Sequence, residues 1–361
     1  MLRSLSGPLT AGCRVPMIPV IDIAPLFGPP SAARDAADGA ILEAAAKSGF
    51  ITVTNLPPEV PHGVAARRAL LRIFDLPEAE TRKLWRQKFD PGQSNLYRGW
   101  FPLQEGFATY KEGIDLGPDL AYGAGVIDAA DPLCEATPLP SEPLLPGWRA
   151  AAADYYRAME RTGLLLMRAI ARGLGLAETS FDAAFRGGIS TLRLIRYPVR
   201  TEASFAGALE ADLWVTHRGQ RRYLTGRAHV DSGLVTLLAQ DGIHGLQALS
   251  AVGEWVDVPP TEGTLAVNFG KVLERWTGGR IKATEHRVIG GGQTRCSIPF
   301  FYEPRVDAEI APLPGSAAFE PFLYGDHLWA VTTKFVEFHG LEKLRPPRRA
   351  TTASGAQARL A

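Results

Sequence analysis

The stretch GRAHVDSGLVTLLAQDGIHGLQ, residues 226–247, sets His229 and Asp231 two apart, directly before the β-prone run Leu234, Val235, Thr236, Leu237, Leu238. On an extended backbone, positions i and i+2 point to the same face. An imidazole and a carboxylate are thereby aimed at one spot, on the side of a sheet where a core is expected. Such a pair is either a satisfied buried contact or two ligands of a metal. The pair alone does not choose between them; a third ligand does.

The surrounding sequence reads as β. From Ser190 onward, LRLIRY, YLTGRAH, LVTLLA, GLQALS, EWVDVP, TLAVNF, HRVIG and RCSIPFFY are short β-prone segments separated by Gly, Pro, Asp and Thr. Eight such pieces at close intervals predict an antiparallel sandwich or barrel. Upstream, IPVIDI (Ile18 to Ile23) predicts a first strand. Ser31 is placed to cap a helix through AARDAADGAILEAAAKSG that stops at Gly49, and FITVTNL returns to strand. Helical stretches are expected over 64–74 and 77–85, and a long helix over 148–174, with Tyr155, Met159, Leu164, Leu165 and Ile170 at helical spacing.

Residues 90–146 are rich in Gly, Pro and aromatics and predict a long irregular segment that packs against the rest. YGDHLWAVTTKFVEF predicts a closing helix. The expected organisation is a disordered extension over 1–16, a mixed α/β lobe over 17–150 with helices predominating, a β core with flanking helices over 151–340, and a disordered basic tail over 341–361.

Bulk properties narrow the classes of function. The 361 residues carry 46% hydrophobic and 21% charged side chains, ordinary for a globular chain. Lys plus Arg against Asp plus Glu is 39 − 38 = +1, so no basic bias points to nucleic acid or an anionic membrane. Cys13, Cys134 and Cys296 are odd in number, widely spaced and without a CxxC. That usage fits a reducing, cytoplasmic interior better than a disulfide framework or a structural zinc site. No apolar run has the length of a membrane span, the opening residues lack the apolar core of a signal peptide, and there is no phosphate loop or dinucleotide fingerprint. Nothing in the sequence indicates an oligomeric state.

Among the candidate third ligands, His62 lies in a Pro-flanked turn and His217 beside the polar run HRGQRR. His244 follows an Asp-Gly turn, while His327 and His339 bracket the closing helix. Each is read as a loop, cap or helix-face residue. His286 differs. It opens the β-prone HRVI after the turn-forming TGGR, 286 − 229 = 57 residues beyond His229. That span holds several strands, enough for a Greek-key return that brings its end beside its start. Two histidines and one carboxylate on one face form the facial triad of non-haem Fe(II) oxygenases, with open positions left for reactants; zinc accepts the same donors.

Nine residues further on, Arg295 and Ser297 in RCSIPFFY again share a face at i, i+2. A guanidinium inside an apolar strand needs an anion, and its planar fork suits a carboxylate, with the serine as a further donor. That carboxylate belongs either to a protein side chain or to a ligand.

With these residues assembled, the chain resembles the isopenicillin N synthase-like family of Fe(II)- and 2-oxoglutarate-dependent oxygenases. The resemblance runs from about Ile18 to His339. It is carried by IPVIDIAPLF, YRGWFPL, YKEGIDLG, LRLIRYP, HVDSGLVTLL, LERWTGGRIKATEHRVI and RCSIPFFYEP. It implies a mainly β fold with flanking α, a double-stranded β-helix or jelly roll with an N-terminal helical/mixed lobe. It further implies Fe(II) on His229, Asp231 and His286, and the distal carboxylate of 2-oxoglutarate on Arg295 and Ser297 with help from Tyr197. The chemistry implied is O2-dependent hydroxylation or desaturation of a small molecule, with release of succinate and CO2.

Two positions depart from the family pattern: Ile195 stands where an asparagine is usual, and Lys271 follows Gly270 where an aspartate is usual. An iron oxidase of the same fold that dispenses with 2-oxoglutarate, and a non-oxidative metal hydrolase or binding protein that keeps the triad, are the alternatives. For substrate contacts the expectation falls on the irregular segment and the closing helix, with Tyr97, Arg98, Trp100, Phe101 and Tyr110 as candidates for the mouth. Ordinary packing is the competing role for each. Phe300 and Phe301 are expected to divide between core and pocket wall.

Overall fold

Strands that alternate which side chains they bury build two facing sheets in the computed structural model, which describes residues 17–207 and 213–348. The extension expected over 1–16 lies outside the described residues, as does the tail from 349 onward.

In chain order the strands are β1 (Val20–Asp22), β2 (Phe50–Thr54), β3 (Gly99–Phe101), β4 (Glu112–Leu116), β5 (Thr191–Tyr197), β6 (Trp214–His217) and β7 (Gln220–His229). There follow β8 (Val235–Gln240), β9 (Leu246–Leu249), β10 (Trp255–Asp257), β11 (Leu265–Phe269), β12 (His286–Ile289) and β13 (Arg295–Tyr302). The larger sheet runs β1-β2-β11-β8-β13-β5-β4-β3 and the smaller β10-β9-β12-β7-β6. Among the described residues every pairing within these two sheets except β1 on β2 is antiparallel, and sequence-distant strands such as β2, β11, β8 and β13 are neighbours. This is the jelly roll, mainly β with flanking helices.

Period-2 alternation divides the larger sheet between two cores. Leu192 and Leu194 of β5, Leu237 and Ala239 of β8, and Ile298 and Phe300 of β13 join the core shared with the helices. The long helix Trp148–Gly173 lies on that side: Tyr156 donates to Ser190 O at 2.8 Å and meets the Phe300 ring edge-on at 5.0 Å. Burial of each such aromatic contributes about 2–3 kcal/mol. The opposite faces of the same strands turn into the barrel, where Phe50, Ile195, Tyr197, Leu246, Ala248, Val258, Ala266 and Val288 form a second, smaller cluster.

Local signals place most elements close to expectation. Ser31 caps the helix Ala32–Lys47 by accepting from Arg34 N, and Gly49 leaves it at φ 59°. The segment expected to be irregular over 90–146 holds two strands instead, β3 and β4, which extend the larger sheet beyond β5. Their short length and Gly-rich flanks hide the alternation. The closing helix is shorter than its sequence pattern, spanning Tyr324–Thr332. Residues 341–348, placed by their composition in a tail, are packed: Arg345 is 4% exposed and bonds Asp131 and Asp326. No helix among the described residues is long and apolar enough to cross a membrane.

Candidate metal centre

Register brings the two distant histidines together. His229 closes β7 and His286 opens β12, and the two are direct antiparallel partners, their ring centroids 4.3 Å apart. Asp231 follows in the loop between β7 and β8. One donor atom from each of the three lies within 4.8 Å of the others, the group able to hold a metal ion among the described residues. Asp231 Oδ1 sits 3.7 Å from His229 Nε2 and 3.7 Å from His286 Nε2.

The remaining atoms of the triad are occupied so that the inward ones stay free. His229 Nδ1 lies 2.8 Å from Arg227 O, and His286 Nδ1 lies 3.2 Å from Thr284 O. A carbonyl accepts only, so both rings carry the proton on Nδ1 and leave the Nε2 lone pair inward. Burial and then the nearby His286 push His229 down to about 4, keeping it neutral. Burial alone would raise Asp231, but the two imidazoles and the bonds from Thr236 and Asn268 hold it below the usual carboxylate range. Those bonds, 2.5 Å from Thr236 Oγ1 and 2.7 Å from Asn268 Nδ2, both go to Oδ2.

The loop itself is clamped by backbone. Lys271 N donates to Asp231 O at 2.8 Å, Gly270 N to Leu234 O at 2.8 Å and Val272 N to Gly233 O at 3.1 Å. A Cβ on Gly270 would lie 2.3 Å from Gly233 O and 2.9 Å from Asp231 O, so the chain must be glycine here. Lys271 contributes its N–H to this clamp, while its Nζ pairs with Glu274 at the surface. The departure from the family's aspartate therefore leaves the loop intact. His327, read from sequence as a helix-face or cap residue, bonds Ser232 O through Nε2 at 3.1 Å and ties the closing helix to the same loop.

Across the barrel, Arg295 stands opposite Tyr197 in the β13–β5 pairing, its guanidinium carbon 5.3 Å from the tyrosine ring centroid. It is 3% exposed, and no protein carboxylate pairs with it among the described residues. Nη2 donates to Gln240 Oε1 at 3.2 Å, while Nε, Nη1 and the neighbouring Ser297 Oγ are buried and unpaired. Donors this well buried cost free energy unless a ligand meets them. The backbone makes room for the fork: Gly245 has φ 154°, and a Cβ there would lie 2.6 Å from Ile289 O and 3.4 Å from Arg295 Cδ. Ile195, the second departure, faces Ser297 across the strands as part of the apolar barrel cluster.

These observations test the fit of the implied groups. Two imidazole nitrogens and one carboxylate oxygen suit Fe(II), and an orphaned guanidinium edge beside a free hydroxyl suits a small dicarboxylate's far end.

A cavity of about 110 Å³ opens at the triad. Its wall includes His229, Asp231, Tyr97, Lys111, Arg193, Phe301, Glu303, Leu328, Phe335, Glu337 and Phe338. Of the aromatic candidates named from sequence, Tyr97 lines it. Arg98 is fully buried, bonded to Thr191 Oγ1 and Ile189 O, and Trp100, Phe101 and Tyr110 pack in the interior. Phe300 is core and Phe301 wall, as expected. The closing helix supplies Leu328 and Thr332, and the turn after it Phe335, Glu337 and Phe338. Lys111 pairs with Glu337 at 3.0 Å, joining that turn to the approach of β4.

Sequence reasoning missed Thr236, Asn268, Lys111, Arg193 and Glu337. Arg193 carried the same signal as Arg295, an arginine inside the apolar strand LRLIRY. The others depend on which strands are neighbours: Thr236 and Asn268 are partners in the β8–β11 pairing, a relation no local pattern contains.

Comparison with known proteins places the chain in context. Residues 216–304 match the model of the 2OG-Fe(II) oxygenase superfamily. Residues 18–140 match that of the non-haem dioxygenase in morphine synthesis N-terminal region. The chain is 30% identical to an isopenicillin N synthase of Streptomyces clavuligerus over 86% of its length and 93% of the relative's. It is 32% identical to a 2-oxoglutarate-Fe(II) type oxidoreductase of Aspergillus fumigatus over 80% and 82%. The crystal structure of a full-length Neurospora crassa protein in complex with alpha-KG and 5-formyluracil superposes with a TM-score of 0.71 at 26% identity, covering 88% of this chain and 96% of that one.

Proposed function

The chain belongs to the isopenicillin N synthase-like family of 2-oxoglutarate–Fe(II) oxygenases, and from that premise we propose which of its residues do the work. The enzyme is an Fe(II)- and 2-oxoglutarate-dependent oxygenase of a small molecule. His229, Asp231 and His286 hold the iron. Arg295 and Ser297 hold the distal carboxylate of 2-oxoglutarate, with Tyr197 packed against the guanidinium. The observation that carries this reading is the set of buried, unpaired donors at Arg295 Nε, Arg295 Nη1 and Ser297 Oγ, across the barrel from three inward-facing metal donors.

When bound, Fe(II) with 2-oxoglutarate and O2 supplies the oxidising power that hydroxylates or desaturates the substrate with release of succinate and CO2. The chain's own part is positioning. Nδ1 bonds to Arg227 O and Thr284 O fix the imidazole tautomers, and Thr236 and Asn268 turn Asp231 Oδ1 inward. Arg295 neutralises the cosubstrate's far charge inside an apolar barrel, where such a pair is strong. Leu328, Phe335 and Phe338 close the mouth with apolar surface, which keeps water from the reacting centre. The two described cysteines are free, in keeping with a cytoplasmic enzyme.

The test is O2 uptake coupled to succinate release after anaerobic reconstitution with Fe(II), with and without 2-oxoglutarate, against a panel of small molecules. His229→Ala abolishes both signals on this reading. Turnover that proceeds fully without 2-oxoglutarate, or metal-dependent hydrolysis under argon, overturns it.

A further inference from the structure

β5 lays Thr191, Arg193, Ile195 and Tyr197 along the inside of the barrel. Tyr197 lies deep, against Arg295; Arg193 lies two alternations nearer the start of the strand, in the wall of the cavity that holds the triad. Asp115, its partner on β4, accepts from Arg193 Nε at 2.5 Å and Nη2 at 2.8 Å. The third nitrogen of the fork, Nη1, has no partner among the described residues. The guanidinium is wedged between Phe101 and Phe301, with ring centroids 5.3 and 5.5 Å away, so it cannot swing out to solvent.

Asp115 is already shared. Arg86, fully buried, also bonds it, and Arg86 Nε and Nη1 are left unpaired between the rings of Phe101 and Phe338. Setting the triad aside, the cavity wall and the shell behind it hold four cations, Arg86, Arg98, Lys111 and Arg193, against three carboxylates, Asp115, Glu303 and Glu337. Burial also pushes Glu303 up to about 7, so at neutral pH its negative charge is incomplete. An excess of buried positive charge is costly unless an anion meets it. Arg193 and Lys111 are the two cations that reach the cavity surface.

We infer that the substrate carries a carboxylate, which docks on Arg193 Nη1 beside Lys111, while its apolar body lies against Phe301, Leu328 and Phe335. The inference rests on the oxygenase reading above, since the triad cavity is taken as the substrate's. It assigns the selectivity of the site to an arginine four residues from the tyrosine of the cosubstrate pocket. The two anions are kept apart by the strand: one guanidinium for 2-oxoglutarate at Arg295, another for the substrate at Arg193. The apolar Ile195 lies between them.

The test uses the full chain loaded with Mn(II) and saturating 2-oxoglutarate, so that the Arg295 site is filled and no turnover occurs. Benzoate, phenylacetate and 4-methylpentanoate are titrated by calorimetry against their primary amides. Wild type is expected to bind at least one acid about tenfold or more tighter than its amide, the size of a single charge-assisted bond. Arg193→Gln is expected to erase that preference and Arg193→Lys to keep part of it, with 2-oxoglutarate affinity as the control for folding. Amides that bind as well as acids, no acid binding at millimolar concentration, or an unchanged preference in a folded Arg193→Gln protein each overturn the inference. The wild-type comparison needs no variant and decides the matter if Arg193→Gln fails to fold. Succinate release by the iron-loaded enzyme is followed in parallel. Its absence for every compound sinks the oxygenase reading instead, and the acid-over-amide result is read separately from it.

Discussion

Asn268 donates through Nδ2 to Asp231 Oδ2 at 2.7 Å, on the carboxylate oxygen farther from both imidazoles. With Thr236 on the same atom, it leaves Oδ1 as the one oxygen facing the histidines. Outer partners of this kind set ligand orientation and basicity. Asn268→Leu is expected to weaken Fe(II) binding by about 10–100-fold while the fold persists. Anaerobic iron titration measures it; full affinity in the variant would mean the loop backbone alone orients Asp231.

The loop clamp makes a separate demand. Gly270→Ala forces a Cβ against Gly233 O and Asp231 O, neither of which can move without breaking the bonds from Val272 N and Lys271 N. Overpacking against backbone of this kind costs about 1–3 kcal/mol. The expected result is a lower melting temperature together with lost iron affinity. Lys271→Asp, which keeps the N–H, is expected to change neither. Iron affinity that survives Gly270→Ala would show that the loop tolerates displacement.

Arg295→Ala removes the fork from an apolar barrel and, on the proposed assignment, leaves the cosubstrate's far carboxylate without its cation. Truncating one side of a buried charge pair costs about 2–5 kcal/mol, so the 2-oxoglutarate KM is expected to rise at least about thirtyfold. Iron binding, measured without cosubstrate, is expected to hold. A KM within a few-fold of wild type would move the carboxylate's partner elsewhere.

Glu303 gives the stability a distinctive pH dependence. Burial lifts its pKa to about 7, against the lowering influence of Arg98 and of hydroxyl bonds from Tyr324 and Thr191, at 2.9 and 3.0 Å. The folded state therefore holds a proton that the unfolded chain releases near the ordinary glutamate value. Between that value and about 7 the unfolded state binds fewer protons, so folding stability contributed by Glu303 falls as pH rises. Glu303→Gln is expected to abolish this share of the slope, of order 3 kcal/mol across the window. Denaturant titrations of both proteins from pH 5 to 8, on the order of the window set by linkage, measure it. Parallel curves for the two proteins would place the Glu303 pKa near its ordinary value.

Much of this molecule is written locally. RCSIPFFY spans β13 with the bounds its alternation predicts, and its i, i+2 spacing puts Arg295 and Ser297 on one face, whereas β7 ends at His229 and Asp231 follows in the loop. Strand alternation and helix capping are short-range rules, and these segments obey them without help from the rest of the chain. β3 and β4 escaped notice because a short strand among glycines has too little alternation to register; pairing with β5 is what makes them strands.

The surroundings of the site were decided by register and by charge summed over distant segments. Thr236 meets Asn268 because β8 lies beside β11, Asp115 meets Arg193 because β4 lies beside β5, and Glu337 meets Lys111 because the chain's last turns fold back over the barrel mouth. Sequence alone nominated His229, Asp231 and His286 for a metal and Arg295 with Ser297 for a carboxylate, since residue type and local spacing suffice for that. Only tertiary structure decided how they are oriented and what charge the cavity presents, because both depend on contacts between residues that no local pattern relates.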